Sequence, residues 1–121
     1  SDFDTAIKTL NEGNDYAIKS NDKKIQLYIH QSKSYVYLFK SDFKNVIVES
    51  EQAISLIYTI NDNKEFKEDL IGLQLQKSQA YSELGMFDFA KRDIVKIKKI
   101  TKNDKLFIPS ILMSEYQLYG K

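Results

Sequence analysis

Apolar and small residues return every third or fourth position along most of this chain, and polar breaks divide the pattern into six blocks. Phe3, Ala6, Ile7, Leu10, Gly13, Ala17 and Ile18 form one stripe when wound at helical pitch, which predicts a first helix over about 3–20. Ser1 or Asp2 stands where a cap belongs. "SND" at 20–22 breaks the pattern, and Asp22 can cap the next block. The second helix runs to about Lys40, with Ile25, Tyr28, Ile29, Ser32, Tyr35, Val36 and Phe39 on one face. The third carries Phe43, Val46, Ile47, Ser50, Ala53, Ile54 and Ile57. "TINDNKEFKED" is the longest polar stretch and reads as a loop entering helix four. That helix holds Ile71, Leu75, Ser78, Tyr81 and Leu84 and stops at Gly85. Phe87, Ala90, Ile94, Ile97 and Ile100 or Thr101 mark helix five; "TKND" ends it, with Asp104 as a cap candidate. The last helix starts at Lys105 or at Pro109, which suits a first turn, and reaches Tyr119. "SYVYLF" at 34–39 is the most strand-like run, yet its flanks keep the helical period. One proline and four glycines are few breakers, in keeping with an all-α fold.

The blocks share wording. "SDFDTA", "SDFKNV" and "GMFDFA" each place a phenylalanine just after a break and a small apolar residue three positions later. Phe3, Phe43 and Phe87 stand 40 and 44 residues apart. Upstream, Ser34, Tyr37, Phe43 and Val46 align without a gap on Ser78, Tyr81, Phe87 and Ala90. Each position has a physical task. A small serine lets a partner helix approach, and a tyrosine one turn on fills the space beside it. The phenylalanine seats the returning helix, and a small residue marks the crossing. Such an antiparallel pair cannot bury its apolar face alone, so copies must stack.

On these residues the chain resembles the tetratricopeptide repeat family, whose signature is small, aromatic, aromatic, small across a helix–turn–helix unit. "SQAYSELGMFDFA" carries the resemblance best and "SKSYVYLFKSDFKNV" next. The spacings of 40 and 44 exceed the usual unit of about 34 residues, and the proline often found after the second helix is absent. In length the units resemble the expanded ones of kinesin light chains and of bacterial peptide-sensing regulators. The resemblance implies a right-handed superhelix of about six helices: a partial repeat over 1–20, repeats over 22–60 and 65–102, and a final helix over 105–119. It also implies a concave face lined by the first helix of each pair. Tyr28, Gln31, Tyr35, Leu38, Leu75, Gln79, Ser82 and Glu83 would present a mixed aromatic and amide surface there, suited to an extended peptide or a helix. Leu38, Phe39 and Leu75 could instead pack against neighbouring repeats. Some family members clamp acidic C-terminal tails with Asn, Lys and Arg. Here Ser32, Gly72 and Gln76 hold those positions, so such tails should bind weakly or not at all.

Composition narrows the function. There is no cysteine, and His30 is the single histidine, so thiolate metal sites are excluded and no nucleophilic triad is visible. Gly13, Gly72, Gly85 and Gly120 are isolated and form no phosphate-cradling loop. Glu65, Glu68 and Asp69 sit where a helix begins, which the helix dipole explains. The chain is therefore expected to be neither an enzyme nor a cofactor binder. Net charge is +1 with 29 % charged residues, which does not call for nucleic acid. Lys91, Lys96, Lys98, Lys99, Lys102 and Lys105 make a basic run that reads as a solvated face. No apolar run approaches the roughly 20 residues a membrane span needs. The chain opens without methionine and reads as a segment of a larger protein, with no address to place it beyond a slight lean to the cytoplasm. The expectation is a protein- or peptide-interaction module, such as the sensor segment of a regulator. The alternative is a module that self-associates through its end helices.

Overall fold

The computed structural model describes residues 1–60, 64–102 and 108–119, and among them every regular element is helical. The elements are α1 (Asp2–Lys19), α2 (Lys23–Phe39), α3 (Phe43–Thr59), a single 3-10 turn (Lys64–Phe66), α4 (Lys67–Glu83), α5 (Phe87–Ile100) and α6 (Ile108–Tyr119). Each α-helix packs on its neighbours in the chain, and α4 also meets α6. The "SYVYLF" run lies inside α2. The cap expected at Asp104 and the earlier start at Lys105 lie outside the described residues. No helix among the described residues is long and apolar enough to cross a membrane.

Local chemistry explains the turns. Ser1, rather than Asp2, caps α1 by accepting from the Asp4 amide, while Asp22 and Asp42 accept from Ile25 and Asn45. Between α1 and α2, between α2 and α3, and between α4 and α5 the backbone makes one turn three times over. Asn21, Ser41 and Gly85 sit in the left-handed region at φ 53°, 59° and 75°. The next amide reaches back five residues in each: Asp22 to Ala17, Asp42 to Tyr37, Met86 to Tyr81. This is the Schellman closure, which satisfies the last carbonyls of one helix and reverses the chain directly into the next.

The helices then return antiparallel. The small residues expected at the crossings are there. Ser34, Val46, Ser78 and Ala90 are all buried, and the Ser78 hydroxyl donates to the Ala90 carbonyl oxygen at 3.3 Å. The aromatic seats differ from expectation. Phe87 is 39 % exposed, and the ring stacked on Tyr81 is that of Phe89, with centroids 5.2 Å apart. Among the described residues the largest fully buried side chain is Phe66, 2 % exposed, within the stretch expected to be a loop. It joins Leu27, Ala53, Ile54, Ile57, Leu70 and Leu73 in the main core cluster. A second cluster gathers Ile71, Ile97 and Ile111, and a third Ala90, Ile94 and Leu118.

The buried arc of α2 is also rotated from the expected one. Ile25, Tyr28, Ser32, Tyr35 and Phe39 are exposed, Phe39 by 80 %, while Leu27, Ile29, Lys33 and Ser34 are buried. The cause is pairing. The Lys33 ammonium lies 2.9 Å from one oxygen of Glu49, and Nδ1 of His30 donates to the other at 2.6 Å. Polar groups with partners can occupy an interior that hydropathy reserves for apolar ones. The aromatics of α2 are thereby turned outward.

Candidate functional site

One of those outward aromatics, Tyr35, faces α4 across a cleft. Two hydrogen bonds hold the helices side by side: the Gln31 amide donates to Oδ1 of Asp69 at 2.9 Å, and the Ser34 hydroxyl donates to Oε1 of Gln76 at 2.7 Å. With its proton committed to Gln76, Ser34 accepts from Ser50 at 3.1 Å, so a chain of three side chains ties α3, α2 and α4 together. Near the start of α4 the Tyr28 ring stands edge-on to Phe66, and Lys24 pairs with Glu65 at 2.7 Å.

Between the two helices lies a cleft of about 220 Å³, lined by Gln31, Tyr35, Glu68, Asp69, Gly72, Leu73 and Gln76. A second, of about 430 Å³, opens between α4 and α6, lined by Leu75, Gln76, Gln79, Pro109, Ser110, Met113 and Ser114. Gln76 borders both, so the two clefts adjoin at α4 and are together called the groove. Gly72 matters to its shape: a Cβ built there would meet nothing within 4 Å.

Of the eight residues expected on this face, Gln31 and Tyr35 line the first cleft and Leu75 and Gln79 the second. Tyr28 is half-exposed beside them, at 51 %. Leu38 is half-buried, and Leu38 and Glu83 line neither cleft. Ser82 is a correction: it is buried, because α4 is covered around most of its circumference and the next turn rolls Ser82 inward. Phe39, weighed as a packing residue, is exposed instead. Leu75 does pack, against the Ile71–Ile97–Ile111 cluster, while keeping one edge in the groove.

The sequence reading missed Glu68, Asp69 and Leu73 as groove residues, and Pro109 and Met113 with them. Glu68, Gly72, Gln76 and Gln79 follow one another at helical spacing, and that stripe was the available signal. The helix dipole explains two carboxylates at a helix start, and nothing in the sequence alone places them in a cleft.

A further correspondence lies in two buried ion pairs. Lys33 and Glu49 pair between α2 and α3, and Lys77 and Asp93, each 44 residues on, pair between α4 and α5 at 3.3 Å. All four side chains are buried. Their electrostatics differ. Burial pushes the Glu49 carboxyl up, but hydrogen bonds from His30 and Lys33 outweigh it and hold the group below its ordinary value. Burial raises Asp93, and Lys77 does not fully compensate. The residue 44 positions after His30 is Gln74, whose Oε1 is buried without a partner, as is Oδ2 of Asp93. The basic run behaves as a surface: Lys98 pairs with Glu115 at 2.8 Å, and Lys105 lies outside the described residues.

No protein-family model matches the chain, and no match is found among curated proteins or among solved structures.

Proposed function

We propose that this chain is a non-catalytic module that binds another protein or a peptide, built from tetratricopeptide-like helix pairs stacked as a superhelix. One observation carries the binding reading: two hydrogen bonds join α2 to α4 while Tyr35, Gln76 and Gln79 line a solvent-open groove between and beyond them. Aromatic area with amides fits a peptide backbone and its side chains. The repeat reading is supported by the shared turns at Ser41 and Gly85 and by the paired ions 44 residues apart.

The test is selection of random twelve-residue peptides on the immobilised chain, followed by calorimetry of the peptides recovered. Tyr35→Ala and Gln79→Arg should each weaken binding by about tenfold or more, the size expected for an aromatic anchor and for a blocked groove. Peptides that bind both variants as well as the parent would sink the reading.

A second reading has its own observation. Leu112, Met113 and Tyr116 on α6, and Phe3, Tyr16 and Ile18 on α1, are exposed apolar side chains at the two ends of the helix series. They suit self-association end to end.

A further inference from the structure

We infer that the groove receives an extended segment carrying an arginine, its guanidinium in the α2–α4 cleft and a neighbouring apolar side chain in the α4–α6 cleft. The inference rests on the reading of this face as a binding surface and names what that surface selects.

Charge decides the occupant. Among the described residues, no Lys or Arg lines either cleft. The first cleft holds two carboxylates, Glu68 and Asp69. Gln31 occupies Oδ1 of Asp69, and Glu68 is exposed. The nearby Lys24 is engaged with Glu65. A segment entering here therefore meets negative charge that no cation of the cleft offsets.

Shape selects among cations. Tyr35 is 54 % exposed and forms an aromatic wall of the cleft. Gly72 leaves the floor open where any other residue would place a Cβ. A long side chain can lie across Gly72 with a flat head between the carboxylates and the tyrosine. Guanidinium is planar, stacks on aromatic faces and forms paired hydrogen bonds to carboxylates, whereas ammonium does only part of this. Beyond Gln76 the groove changes character: Leu75, Pro109 and Met113 line the second cleft, and no charged residue among the described ones does. That end suits an apolar side chain. Gln76 stands between the clefts. Its Oε1 is held by Ser34, and its amide nitrogen has no partner among the described residues, leaving a donor for the carbonyl of a crossing strand.

The test is nitrogen-15 NMR titration of the 121-residue chain with three blocked peptides, Ala-Leu-X-Leu-Ala, where X is arginine, citrulline or glutamate. The leucines on both sides serve either chain direction. The arginine peptide should move the amides of Gln31, Asp69, Gly72 and Gln76, bind at least about tenfold tighter than the citrulline peptide, and weaken as salt is added. The glutamate peptide should leave these amides still. Glu68→Gln combined with Asp69→Asn should erase the preference for arginine over citrulline. Gly72→Leu fills the open floor and favours helix, so it should abolish the shifts while the thermal midpoint holds or rises. Equal binding of arginine and citrulline peptides at these amides would overturn the arginine assignment and leave the binding face standing. Shifts centred away from α2 and α4, or none with any peptide, would overturn both.

Discussion

Phe66 and Phe87 place the same ring in different surroundings. Phe66 is closed in by the main core cluster, so Phe66→Ala leaves a cavity among atoms that cannot collapse and should cost about 3–5 kcal/mol. Phe87 stands at the rim with part of its ring already in water, so Phe87→Ala should cost only about 1–2 kcal/mol. Urea denaturation of the two variants checks this, and an equal or reversed order would show that the repeated phenylalanine is the true seat. Ser41 holds a left-handed conformation that a side chain resists, in the place where the later turn has Gly85. Ser41→Gly should therefore stabilise the chain by about 0.5–1 kcal/mol, and Gly85→Ala should destabilise it by about 1 kcal/mol. Thermal midpoints moving the opposite way would contradict this account of the turns.

Between elements, the buried ions respond to pH with opposite signs. Glu49 holds its proton less tightly folded than unfolded, so its contribution to stability is whole above the ordinary glutamate range and disappears as pH falls through the lowered folded value. Asp93 holds its proton more tightly when folded. Its contribution is whole below the ordinary aspartate value and is lost as pH rises through the raised folded one. Burial dominates at Asp93, whereas Glu49 has the added hydrogen bond from His30; the residue 44 positions after His30 is Gln74, which gives Asp93 no hydrogen bond among the described residues. Carboxyl NMR titration should place Glu49 below 4.5 and Asp93 above 3.8. His30→Gln should raise the Glu49 midpoint and cost about 1.5–3 kcal/mol, the range for a hydrogen bond to a charged group. Gln74→His should lower the Asp93 midpoint. If both midpoints ignore these exchanges, the helix pairs are not electrostatically matched.

For the molecule as a whole, the open question of role is a contest between the groove and the ends. Leu112 and Tyr116 are exposed on α6, and neither lines a cleft. Replacing both with lysine should leave the thermal midpoint within a few degrees, because neither is part of a core cluster. Under the self-association reading the parent chain gains mass with concentration in sedimentation equilibrium, and the double variant does not. A parent that stays monomeric at several hundred micromolar would remove that reading and leave the groove as the functional surface.

Helix number, the turn positions and the small residues at the crossings were legible in the sequence, because they depend on contacts within a few residues. Asp22 caps its own helix, Gly85 satisfies its own turn, and Ser78 faces Ala90 only a dozen residues away. The buried face of α2 was not legible. It depends on Glu49 of α3 neutralising Lys33, and on Gln76, 42 residues along the chain, accepting from Ser34. Phe66 was hidden likewise, among polar neighbours in sequence and apolar ones in space. Hydropathy ranks each side chain by its cost in isolation, while folding sets that cost by the partners it finds. So the chain alone determined that there would be helices and where they would reverse. Only the tertiary structure decided that α2 would bury its ions, turn its aromatics to water, and so leave a groove.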